Sequence, residues 1–204
     1  MKPAVRTADD PRAVWIVAAA WAALASPPAR TWLESSMTLH MLLQLPLLAV
    51  IGFRIGAAWR SASSRGFARA LARVQSCNAG GATGLIAASF VMVLWMLPRC
   101  LDLARLDPTI DALKLLSVPL AGLAVALSWP RLPSTARAVV HLEVIATLLR
   151  FGWGYLAAEE RLCLAYLSGD QQRTGELLLW AGAAYALAIV WRPMFGAARP
   201  RLAS

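Results

Sequence analysis

The stretch Met37-Thr38-Leu39-His40-Met41-Leu42-Leu43-Gln44-Leu45-Pro46-Leu47-Leu48-Ala49-Val50-Ile51-Gly52-Phe53-Arg54-Ile55-Gly56-Ala57-Ala58 decides the fold. Its single formal charge is Arg54. Wound as an α-helix at about 1.5 Å per residue, the run reaches about 33 Å. The hydrocarbon core of a bilayer is about 30 Å thick. The run lacks the alternation of a barrel strand, and a helix satisfies every backbone group within the segment. It therefore reads as a transmembrane helix.

Five more apolar runs lie outward from it, at 13–27, 80–98, 112–130, 137–158 and 174–192. The prediction is an all-α, polytopic transmembrane bundle of about six helices. It forms a single transmembrane domain over residues 1–204. Composition agrees: 59% of the residues are hydrophobic and only 15% charged, against about 25% charged in soluble domains. The first run also follows basic residues and ends in Ala23-Leu24-Ala25, the pattern of a cleaved signal peptide. Retention as a short first helix is preferred, because it accounts for the basic loop after the second run.

The net charge is +9. A basic balance can signal nucleic acid, but these arginines are dispersed between apolar runs and no nucleic-acid motif accompanies them. Topology explains them better. With the N-terminus inside, the cytoplasmic segments hold Lys2, Arg6, Arg12, Arg54, Arg60, Arg65, Arg69, Arg73, Arg131, Arg137, Arg192, Arg199 and Arg201. The outer segments hold Arg30, Arg99, Arg105, Lys114, Arg161 and Arg173. This bias of 13 to 6 predicts both ends in the cytoplasm. The loop 59–79 is predicted to be a basic amphipathic helix on the inner surface. Pro46, Pro98 and Pro119 are expected to kink their helices.

The second run opens with Met37, His40, Met41 and Gln44 on one helical face, with Ser36 beside them. Thioether and imidazole together suit a soft ion such as Cu(I). The same methionines also suit ordinary packing between helices. The third run ends with Met92 and Met96 on one face, and Cys100 continues it past Pro98. Cys163 lies on the same outer side, so Cys100 and Cys163 read equally as ligands or as a disulfide. In the fifth run, Glu143 and Arg150 share a face with Thr147 between them, and an ion pair is preferred to a proton path. His40 and His141 belong to opposite helix ends, about 20 Å apart in depth, so they cannot hold one haem. No hydrolase motif or phosphate-binding loop is present, and no catalytic role is expected.

Three stretches carry a family likeness. Ser36-Met37-Thr38-Leu39-His40-Met41-Leu42-Leu43 with Pro46 resembles the H-M-x-x-H-x-L-L stretch of the CtaG-type cytochrome oxidase assembly factors. Trp95-Met96-Leu97-Pro98 with Asp102 is similar to their W-H-x-P-x-x-x-D. Asp170-Gln171-Gln172-Arg173-Thr174-Gly175 with Trp180 is similar to their D-Q-Q-x-x-G…W. The matches fall in order from about residue 34 to 192. Ser36 and Met96 stand where the family has histidines, and Asp111 and Lys114 represent its His-rich helix start.

The resemblance implies a divergent relative in the bacterial cytoplasmic (inner) membrane. It would assist maturation of a respiratory haem–copper oxidase, handling Cu(I) at the periplasmic face. The implied metal set is Met37, His40, Met41, Met96 and Cys100. Ser36, Gln44, Asp170 and Gln171 would orient ligands or helix ends. The implied partners are membrane lipid, a haem–copper oxidase subunit or a periplasmic copper chaperone. A small copper or solute permease and a metal-free membrane scaffold are the alternatives.

Overall fold

The computed structural model describes residues 11–61, 72, 76–78, 80–160, 162–163, 165–166 and 168–195. The predicted surface helix at 59–79 therefore lies mostly outside the described residues. The described residues form helices and no strand. In chain order these are α1 (Pro11–Ala25), α2 (Pro27–Leu33), α3 (Met37–Leu39), a π-helical turn (His40–Gln44), α4 (Leu45–Ser61), α5 (Ala82–Met96), α6 (Pro98–Leu106), α7 (Pro108–Ser128) and, after a 3-10 turn at Trp129–Arg131, α8 (Ser134–Ala157) and α9 (Ser168–Phe195).

Four helical segments are long and apolar enough to cross a membrane: Met37–Arg60, Pro108–Arg131, Ser134–Ala157 and Gly169–Trp191. Ala82–Met96 and Pro98–Leu106 form a fifth candidate, bent by 74°. The chain is thus a multi-pass helical protein, with four to five candidate spans among the described residues where the sequence drew six. Length explains the difference at the first run, where α1 has only 15 residues and a new helix begins at Pro27. Proline explains the third. Leu97 is extended at ψ 131° ahead of Pro98, as residues before proline tend to be. A new helix then starts with Pro98 in its first turn.

The other two prolines act differently. Pro46 lacks the N–H that would bond to the Leu42 carbonyl. The preceding turn widens to π register, with Leu45 N–H reaching back to the His40 carbonyl. Pro119 lies inside a continuous α7 and frees the Leu115 carbonyl in the same way. The Trp21 indole of α1 donates to that carbonyl at 3.1 Å. A carbonyl that the helix cannot satisfy is thus satisfied by its neighbour, as a hydrocarbon environment requires.

α7 is central and packs most extensively on α4 and then α5, while α8 and α9 form a second pair. Glycines set both contacts. A Cβ on Gly52 would lie 1.7 Å from the Pro119 carbonyl oxygen, and one on Gly122 would lie 1.9 Å from that of Ala49. The α4 and α7 backbones therefore touch, along a Gly52-x-x-x-Gly56 face typical of close membrane helix pairs. Gly152 and Gly175 play the same part between α8 and α9, where a Cβ on either would lie 2.9 Å from the other's carbonyl oxygen.

Two apolar clusters result. Met37, Met41, Leu101, Tyr155, Cys163, Tyr166 and Leu178 form one, with Met96 against it. Leu45, Leu48, Trp95, Ala104, Leu115 and Val118 form the other, with Cys100 against it.

Candidate functional site

The end of the bundle at which α3, α7 and α9 begin holds a buried polar network. α7 starts cleanly there: the Asp107 side chain accepts from Thr109 N–H at 2.7 Å, with Pro108 next in the chain. This bond holds the exposed Asp107 carboxyl below its usual range. One turn later, Asp111 and Lys114 point inward and are almost wholly enclosed.

The Lys114 ammonium is the centre of the network. Its Nζ lies 2.7 Å from Glu34 Oε1, 2.8 Å from Asp111 Oδ1 and 3.0 Å from His40 Nε2. Arg30, on α2, pairs with the other Asp111 oxygen. Gln44 Nε2 donates to Glu34 Oε1 at 3.2 Å, and Gln44 Oε1 is buried with no hydrogen-bond partner among the described residues. Arg105 donates to the Glu34 carbonyl and stacks over the Tyr166 ring at 5.3 Å. Tyr166 Oη closes the chain 2.7 Å from His40 Nδ1. With Lys114 charged, Nε2 accepts, so Nδ1 carries the proton and donates to Tyr166; this tautomer follows from the network. Burial raises the Tyr166 phenol above its ordinary range, against the opposing pull of Arg105. Tyr166 therefore stays a neutral phenol at ordinary pH.

Asp170, at the start of α9, ties that helix to α3. It accepts from Ser36 Oγ at 2.9 Å, Thr38 Oγ1 at 3.2 Å and the Met37 N–H. It thereby caps the α3 start, for which Ser36 makes no side-chain cap of its own. Thr174 Oγ1 lies 2.9 Å from Thr38 Oγ1. Gln171 Oε1 accepts from Leu162 N–H at 2.9 Å, and Nε2 donates to the Tyr155 carbonyl at 3.2 Å. Asp170 and Gln171 thus both bond to backbone beyond their own helix. The α5 break is held as well: Tyr155 Oη donates to the Met96 carbonyl at 2.6 Å and lies 3.6 Å from Met41 Sδ. Asp102 accepts from Ala165 N–H at 3.1 Å. The stretches around 36–44, 95–102 and 165–174 therefore meet at one end of the bundle.

The copper set expected from sequence is divided. Met37, His40, Met41 and Gln44 do share one buried face. Met37 and Met41 lie in the apolar cluster with Met96 beside it, whereas Cys100 packs in the other cluster. His40 has both ring nitrogens engaged, one of them by a cation. Among the described residues, no three His, Cys, Asp or Glu side chains are grouped to hold a metal ion. Cys100 and Cys163 are free thiols, one against each apolar cluster. Burial first, and then the Asp102 carboxylate, push the Cys163 thiol up to about 12, so it is no ready thiolate ligand. His40 presents no free ring nitrogen to the methionines beside it.

The sequence reading missed Glu34, Arg30, Arg105 and Tyr166 and treated Asp111 and Lys114 only as departures from a pattern. Arg30 with Glu34 and Asp111 with Lys114 are opposite charges at i,i+4 and i,i+3 beside apolar runs, and that spacing was the available signal. The expected Glu143–Arg150 ion pair is not formed among the described residues. His141 lies apart from the network, with Nδ1 2.7 Å from Tyr185 Oη. No family model matches the chain, and neither the curated proteins nor the solved structures hold a match.

Proposed function

We propose that the chain is a non-catalytic accessory protein of the bacterial inner membrane. It assists maturation of a haem–copper oxidase as a scaffold whose polar outer end is ordered without copper. Both chain ends lie in the cytoplasm, and the network faces the periplasm. The oxidase assignment rests on the resemblance of the three stretches to the CtaG-type factors. The metal-free assignment rests on one observation: the Lys114 ammonium sits among His40, Glu34 and Asp111. A resident cation there repels a second one and takes up the donors that an ion would need.

The test combines metal analysis with a cellular readout. Purified full-length protein, loaded anaerobically with Cu(I) and desalted, is expected to retain no stoichiometric copper. Cells lacking the chain are expected to lose oxidase activity, and added copper is not expected to restore it. Retention of about one copper per chain that is lost in His40→Ala would replace the scaffold with a copper carrier. Normal oxidase activity in the deletion strain would remove the oxidase assignment. A reporter fused after Ser204 is expected to read cytoplasmic, and one near Ser168 periplasmic; the reverse would overturn the orientation.

A further inference from the structure

α8 is the least enclosed of the four membrane-length helices: 11% of its apolar window is buried, against 22–44% in the others. Its main packing partner is α9. Glu143 and Arg150 stand exposed on its open side. Neither makes an ion pair or hydrogen bond among the described residues. Both line a groove of about 780 Å³ along α8, together with Leu142 and Thr147, and Val93 of α5 and Pro98 at the start of α6 close its other side.

Depth makes this arrangement costly. The midpoint of Ser134–Ala157 falls between residues 145 and 146. Glu143 is therefore about 4 Å from the helix centre and Arg150 about 7 Å from it. The hydrocarbon core extends about 15 Å on either side of the midplane. Arg150 can extend its long side chain toward the outer interface, but the short Glu143 side chain cannot. An ionisable group at that depth requires a partner, and the described residues supply none.

We propose that the groove along α8 docks one transmembrane helix of a partner membrane protein. That helix carries a basic side chain level with Glu143 and an acidic one level with Arg150. Charge complementarity selects this occupant. A second copy, related by an axis along the membrane normal, would set Glu143 against Glu143 and Arg150 against Arg150. An acyl chain offers Glu143 nothing to bind, and a lipid headgroup remains at the interface. The inference rests on α8 crossing the bilayer, not on the oxidase assignment, so either can fail alone.

The test uses the full chain and a designed probe, co-expressed in bacterial membranes. The probe is a single-span Leu/Ala helix, oriented by a basic cytoplasmic flank. It bears one Lys at the depth of Glu143 and one Glu seven residues toward the periplasm. Association is read by fluorescence energy transfer. The charged probe is expected to bind about tenfold more tightly than an all-apolar one. Glu143→Gln with Arg150→Gln is expected to erase that preference. Glu143→Arg with Arg150→Glu is expected to transfer it to the charge-reversed probe. Equal transfer to charged and apolar probes would overturn the proposal. So would transfer between two labelled copies that is lost in Glu143→Gln, which would give the groove to a second copy. Because neither charge has a partner among the described residues, Glu143→Gln is expected to leave the unfolding temperature unchanged. A clear fall would mean an internal partner and would also overturn the proposal.

Discussion

Lys114 Nζ lies 3.0 Å from His40 Nε2, and this contact fixes which ring nitrogen carries the proton on the side facing Tyr166, 2.7 Å away. His40 is therefore a bridge between a buried cation and a buried phenol. Replacing either neighbour leaves a polar group stranded.

Lys114→Met keeps the volume and removes the charge. Glu34 and Asp111 then lose their shared ammonium, and breaking a buried ionic network from one side costs about 3–5 kcal/mol. Thermal unfolding in detergent should show a large fall in midpoint. Wild-type stability in this variant would mean that the network is solvated.

Gly52→Ala should weaken the α4–α7 contact, because the added Cβ meets a backbone oxygen at 1.7 Å rather than a movable side chain. Overpacking of this kind costs about 1–3 kcal/mol. Gly154→Ala is the control, since a Cβ there has nothing within 4 Å. Unfolding in a denaturant series would separate the two, and equal midpoints would refute the seam.

Trp21→Phe removes the indole that serves the Leu115 carbonyl. An acceptor left unpaired in an apolar setting costs about 1–3 kcal/mol. Stability measured with and without Pro119→Ala checks the cause. Alanine at 119 restores an N–H for that carbonyl, so the Trp21→Phe penalty should shrink in its presence.

Thiol chemistry should distinguish Cys77 from Cys163. Cys77 is exposed and Cys163 buried. With its pKa pushed up to about 12, Cys163 has little thiolate at pH 8–9 and should resist alkylation in the native protein. Because the shift is upward, labelling of Cys163 should increase as pH rises toward that value. Reductant should change neither site. A reductant-dependent gain at Cys163 would show a disulfide.

Met37→Leu with Met41→Leu tests the sulfur stripe. Volume-conserving swaps cost less than about 1.5 kcal/mol each, and copper content should not change. A loss of bound copper would return the methionines to the role first expected of them.

The membrane fold was legible because apolar length is a one-dimensional property. The runs at 37–58, 112–130, 137–158 and 174–192 became Met37–Arg60, Pro108–Arg131, Ser134–Ala157 and Gly169–Trp191. The break at Leu97–Pro98 was marked only by a proline, and Pro119 in α7 shows that proline alone does not decide a bend. The inward face of Met37, His40, Met41 and Gln44 followed from helical periodicity. What that face meets did not. Lys114 is far from His40 in sequence, and only the α4–α7 packing brings them together. Gly52-x-x-x-Gly56 was a readable sign of that packing.

The charges at the polar end also bear on how the chain enters a membrane. Arg30 with Glu34, and Asp111 with Lys114, are each near-neighbours on their own segment. Each segment can thus be inserted as a self-neutral unit, before any other helix has arrived. In the folded chain Arg30 pairs with Asp111. Lys114 keeps Asp111 as it gains Glu34, so the folded network shares its counter-ions between two segments, and neither segment has to supply a bare charge.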